Sequence, residues 1–153
     1  MIYLYRGIYV KKFKEISNEI INEENYIKMK NYIAHSNITV YDHCYSVALA
    51  SYKFVKKYKI KCDIESLIRA ALLHDFYLYD WHDSKIKLHG FKHHRFALLN
   101  SKKYFKINKK EKNIIYSHRF PLTLWTIPKY KEALIVSTFD KIIAFKETFN
   151  IGY

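Results

Sequence analysis

Residues 64–76 read Ile64-Glu65-Ser66-Leu67-Ile68-Arg69-Ala70-Ala71-Leu72-Leu73-His74-Asp75-Phe76. Leu67, Ala70, Ala71 and His74 recur at helical spacing and share one face, which predicts a core helix carrying an imidazole at its C-terminal end. Asp75 follows about 100° further round, so both side chains can reach one point only near the helix end. An unpaired carboxylate or imidazole among such neighbours is costly unless something compensates it, and a bound cation is the simplest compensation.

The same anomaly appears on both sides of this segment. A helix predicted from Thr39 to Tyr58 places His43, Val47, Ala50, Ser51 and Phe54 on one side, so His43 points inward. A last helix from Tyr130 to Phe149 carries Ala133, Val136, Ser137, Asp140, Ile143 and Ala144 on one side, which sets Asp140 in an apolar stripe. Since 31 residues separate His43 from His74 and 65 separate Asp75 from Asp140, these groups come from three helices and meet only in a folded core.

The remaining chain supplies packing helices. Val10 to Ile21 gathers Phe13, Ile16, Ile20 and Ile21 on one face, and Glu24 to Ala34 does so with Tyr26, Ile27, Ile33 and Ala34. A further helix is predicted over His94 to Phe105. Another opens with Asn108 as N-cap and Glu111 three residues later, a capping pattern ahead of Ile114, Ile115 and His118. Between Tyr77 and Lys92, periodicity is lost, and this stretch, with Tyr79, Asp80, Trp81, His82, His89 and Gly90, is predicted to be an ordered loop over the site.

Composition agrees with an all-α class. Three glycines and two prolines in 153 residues leave little room for the turns of a β-sandwich, and half the chain is apolar, enough for the core of one compact helical domain. Met1-Ile2-Tyr3-Leu4-Tyr5 is cut short by Arg6 before it can act as a signal segment, and no run of about 18 apolar residues exists. The expectation is a soluble cytoplasmic protein without membrane contact. Cys44 and Cys62 lack the close pairing of a zinc knuckle, so both are expected to be reduced and structural, with Cys44 beside His43. The formal charge of +13 raises a nucleic-acid reading, but the lysines are spread along the chain and not gathered into one stripe. Nucleic acid is therefore set aside as the main partner, while the positive field still favours a small phosphorylated substrate. No P-loop, G-x-G-x-x-G turn or H-E-x-x-H pair is present.

Taken singly, an inward histidine is more often an ordinary core residue, and an inward aspartate a cap or ion-pair partner. Their conjunction is more specific. Imidazole and carboxylate together suit Mn, Fe, Co, Ni or Zn, whereas an all-oxygen site points to Mg or Ca.

The order His43, His74-Asp75, Asp140 resembles the signature of the HD superfamily of metal-dependent phosphohydrolases, over roughly Ile33 to Glu147. Tyr41-Asp42-His43-Cys44 opens a helix, Ala70 to Asp75 closes one, and Asp140-Lys141 is followed by apolar residues and Glu147. The chain is also similar to the two-metal subset, in which further histidines lie between the His-Asp pair and the last aspartate, here His93 and His118. The resemblance implies that His43, His74 and Asp140 hold a first divalent ion, that His93 and His118 hold a second, and that Asp75 bridges the two. His94 stands where relatives often have proline, so His94, and His89 beside Gly90, compete with His93.

The implied chemistry is hydrolysis of a phosphomonoester or phosphodiester of a nucleotide or small phosphorylated metabolite by metal-activated water. Lys141 and Arg119, each next to an implied ligand, are candidates for phosphate contact, ahead of Lys92 and Arg95. Tyr79 and Trp81 are candidates to stack on a nucleobase, although packing explains such aromatics equally well. Two alternatives remain: an HD-fold binding module without turnover, and a basic nucleic-acid-binding protein.

Overall fold

Helices dominate the computed structural model, which describes residues 2–80, 82 and 88–151, the side chains of residues 2–9 and His89 excepted. In chain order they are α1 (Ile2–Ile21), α2 (Glu24–Ile27), a 3-10 turn (Lys28–Asn31), α3 (Val40–Lys57), α4 (Ile64–Leu73), α5 (His89–Tyr104), α6 (Lys109–Ser117) and α7 (Lys131–Thr148). A short antiparallel hairpin, β1 (Ile33–His35) with β2 (Ile38–Thr39), precedes α3. The all-α class expected from composition is the class observed.

At the centre lies α4. Asp63 caps it, accepting the Ser66 N–H at 3.0 Å, and every residue from Ser66 through Tyr77 is buried. A helix apolar on nearly all sides belongs in the middle of a core, and α4 packs against α1, α3, α5, α6 and α7. Leu67, Ile68, Leu72 and Leu73 are fully enclosed, each stabilising the fold by about 1.5–3 kcal/mol. Arg69 is the exception to the apolar rule, and it is compensated: its Nε donates to Glu111 at 2.9 Å and its Nη1 to Glu19 at 2.6 Å.

Of the flanking helices, α3 and α6 begin where side chains can close their free N–H groups. Thr39 caps α3 by accepting the Asp42 N–H, and Asn108 and Glu111 form the expected reciprocal capping box at the start of α6. Among the described residues, no helix is long and apolar enough to cross a membrane.

Three expectations fail. The helix predicted over Glu24 to Ala34 stops after one turn and becomes the 3-10 turn and β1, because Ile33 and His35 find strand partners in Thr39 and Ile38. The reversal is made at Ser36, whose positive φ of 52° a helix would not allow. In addition, α5 begins at His89 and not His94, so the predicted loop over Tyr77 to Lys92 is helical in its last four residues. No side chain caps this helix, since Leu88 precedes it with φ 62°, and Gly90 in its first turn weakens the local signal. The N-terminal helix also starts earlier than Val10, at Ile2.

Candidate metal centre

Three helices deliver the first polar cluster. His43 lies in the first turn of α3, His74 is the C-cap of α4 with Asp75 just beyond it, and Asp140 is mid-way along α7. One ligand atom from each of these four residues lies within 4.8 Å of the other three, and all four residues are buried. His93 on α5 and His118, the C-cap of α6, form a second group with Asp75 on the same terms.

Asp75 joins the two groups through different oxygens. Its Oδ2 is 3.6 Å from His74 Nε2 and 3.9 Å from His43 Nε2, while its Oδ1 is 3.1 Å from His93 Nε2 and 3.2 Å from His118 Nε2. Asp140 Oδ1 completes the first group at 3.2 Å from His43 Nε2 and 3.5 Å from His74 Nε2.

Hydrogen bonds at the far side of the rings determine what these nitrogens offer. His74 Nδ1 donates to the Ala71 carbonyl and His118 Nδ1 to the Ile115 carbonyl, each at 2.7 Å, and His43 Nδ1 donates to Glu147 Oε2 at 2.7 Å. A carbonyl or carboxylate oxygen only accepts, so all three rings are protonated at Nδ1 and in the neutral state present an Nε2 lone pair. Those lone pairs face carboxylate oxygens. Lone pair against lone pair is repulsive unless a cation lies between them.

The orphaned atoms say the same. His74 Nε2, Asp75 Oδ1 and Asp140 Oδ2 are buried without a hydrogen-bond partner, despite polar neighbours a few ångströms away. Donors of one ion, each about 2.0–2.2 Å from it, are separated from one another by about 3.0–3.5 Å. Four of the separations above, together with 3.0 Å between His93 Nε2 and His118 Nε2, are of that size, and the two from Asp75 Oδ2 to His74 and His43 are slightly longer. The residues present therefore fit a divalent metal in both groups.

The family model for the HD domain matches residues 40–144. The chain belongs to the HD domain family. The matched span covers more than half of the sequence and contains His43, His74, Asp75, His93, His118 and Asp140. No curated protein and no solved structure shows significant similarity to the chain.

Electrostatics of the HD centre follow from burial set against charge. Burial disfavours the imidazolium of His43, yet hydrogen bonds to Asp140 and Glu147 outweigh it and carry the ring up to about 10. His74 is also desolvated and is nevertheless raised well above its ordinary range, chiefly by the Asp75 charge. Burial pushes both carboxylates up, but His74 and His93 hold Asp75 well below the usual range, and the His43 hydrogen bond with the nearby His74 does the same for Asp140. His118 goes the other way, down to about 4, because desolvation outweighs its contact with Asp75. Without a divalent ion, protons on His43 and His74 thus balance the two carboxylates.

Other candidates take varied places. His94 is fully buried with neither ring nitrogen partnered, its ring 6.4 Å from that of His93 and edge-on to Tyr116, so His93 is the one that joins His118 and Asp75. The side chain of His89 and the whole of Trp81 lie outside the described residues. Tyr79 is half-buried against Tyr77 and Phe96. Lys92 and Arg95 are exposed on α5. Cys44 is buried and its thiol acts on His74, whereas Cys62 is half-buried away from the centre.

Lys141 departs from the phosphate-contact expectation. Its three N–H donors go to the His118 carbonyl at 3.1 Å, the Ser137 carbonyl at 2.9 Å and Ser137 Oγ at 2.7 Å, so it braces the turn that holds His118. Arg119 is different, with a buried Nε that has no hydrogen-bond partner. Its Nη2 lies over the first turn of α5, 3.7 Å from where a Cβ on Gly90 would stand. Two neighbours of His43 were not assigned a part from sequence: Glu147, and His35 on β1, whose ring centroid is 5.1 Å from that of His43. Glu147 had a legible signal, since it follows Asp140 by seven residues and so shares its helix face. His35 had none, because Ile33 and Ala34, the start of the hairpin that brings it in, were read as the end of a helix.

Proposed function

We propose that this HD domain is a metal-dependent phosphohydrolase acting on a nucleotide or another small phosphorylated metabolite, as a phosphomonoesterase or phosphodiesterase. One observation carries the reading: three imidazoles with protonated Nδ1 atoms aim their Nε2 atoms at two buried carboxylates, an arrangement that calls for cations. A divalent ion there supplies a bound water acidified to near neutrality and offsets the charge that builds up on a phosphoryl group.

The protein's own residues divide the remaining work. Asp75 ties the two ligand groups together, and its side chain keeps 11% exposure against 0–5% for the other five, so substrate approaches along the Asp75 edge. Arg119 borders the His93–His118 side with an unpartnered Nε, and a guanidinium suits bidentate contact with phosphate oxygens. Lys141 acts from behind, fixing the backbone of His118. A formal charge of +13 draws small anions toward the molecule without selecting among them.

The test is metal content followed by turnover. Purified protein is assayed for stoichiometric transition metal, then, reconstituted with Mn or Fe, for release of phosphate or alcohol from a panel of phosphomonoesters and phosphodiesters. Protein that binds neither metal and hydrolyses nothing defeats the proposal. Metal bound without hydrolysis of any class of ester favours the binding-module reading.

A further inference from the structure

The histidines of the centre lean on partners of unequal charge. His74 and His118 each donate through Nδ1 to a neutral carbonyl three residues earlier, of Ala71 and Ile115. His43 donates instead to a carboxylate brought from α7, Glu147, at 2.7 Å. That carboxylate is deeply enclosed, with its side chain 1% exposed, and His35 of β1 has a nitrogen within 4.8 Å of ligand atoms of both His43 and Glu147.

A buried negative charge is expensive, and placing it on the back of a ligand ring has a definite effect. It holds one tautomer and one orientation, and it draws the Nδ1 proton toward itself so that Nε2 becomes a stronger donor. Low local polarity magnifies the effect, because little water is present to screen the charge. Neither carbonyl-anchored ring has this advantage.

We infer that Glu147 is a positioning residue that strengthens the hold of His43 on its ion, so that its charge tightens the His43–His74–Asp75–Asp140 half and leaves the Asp75–His93–His118 half unchanged. The inference rests on the metal-binding part of the reading above and not on the reaction. Glu147 touches no reacting atom and acts only through His43.

Titration of metal-free protein with Mn2+, followed by electron paramagnetic resonance, tests it. Wild type shows two steps. Glu147→Gln keeps the size of the side chain and an acceptor oxygen but loses the charge, and it weakens one step by about 10–100-fold while the other stays in place. His118→Gln does the reverse, removing the step that Glu147→Gln leaves in place. Equal weakening of both steps by Glu147→Gln, or no change in either, overturns the inference. Should that variant not fold, wild type suffices: in the Zn2+-loaded protein the proton NMR signal of His43 Nδ1–H lies further downfield than those of His74 and His118, and equal positions refute the assignment. Wild-type protein that takes up no Mn2+ at all is a distinct result, and it sinks the proposed function along with this inference.

Discussion

At the scale of single residues, Asp75 and the histidines around it convert burial into chemistry. Asp75→Asn leaves one neutral amide where two charged oxygens faced two groups of imidazoles, so metal content falls at both halves of the centre, whereas His118→Gln lowers it at one. Plasma emission spectrometry of the purified variants distinguishes these outcomes. Protonation is the second lever. His43 is raised to about 10, so its contribution to the stability of metal-free protein is complete below about pH 6.5 and is lost as pH rises toward 10. His94 and His118 are depressed to about 4, so their contribution is complete above about pH 6.5 and is lost as pH falls toward 4. Asp75 and Asp140, held low, add to the acid limb. Stability of the metal-free protein therefore peaks near neutrality, which urea denaturation across the pH range will show. His94→Leu removes a buried ring with two unpartnered nitrogens, and it stabilises the protein by about 1 kcal/mol, more at pH 5 than at pH 7.5.

At the scale of elements, helix ends are legible where side chains make them and illegible where tertiary contacts do. The capping box of α6 is visible in sequence because Asn108 and Glu111, three residues apart, each bond the other's backbone, at 2.8 Å in each direction. Asn108→Ala is expected to cost about 1 kcal/mol by chemical denaturation. Glu111→Ala costs more, about 2–4 kcal/mol, since Glu111 also takes the Arg69 Nε at 2.9 Å and its loss leaves that N–H without an acceptor, while Nη1 keeps Glu19. Near-equal losses in the two variants contradict the ion-pair role. By contrast, Glu24 to Ala34 has helical periodicity but ends in β1, because strand pairing across Ser36 and packing beneath α3 decide the matter. At the start of α5, sequence has no cap to display, and the helix is held by what it packs against.

For the molecule as a whole, the proposed metal binding would be linked to folding. An ion bound in the folded state and not in the unfolded chain stabilises by about 4 kcal/mol at 1,000 times its dissociation constant. For a chain of this length that is a rise in Tm of about 8–16 °C. Chelation is expected to lower Tm by that amount, and a thermal scan with and without chelator that shows no difference speaks against a structural stake for the ion. What the sequence determined by itself was the helical class, the inward-facing positions of His43, His74, Asp75 and Asp140, and through their order the HD family, because periodicity and apolar neighbours are local properties that survive without coordinates. Tertiary structure alone decided that His93 and not His94 meets His118, that Lys141 is spent on the His118 carbonyl, and that Glu147 stands behind His43. The physical reason is that a hydrogen bond or a ligand contact depends on distances of a few ångströms between helices far apart in the chain, and no local spacing rule sets those distances.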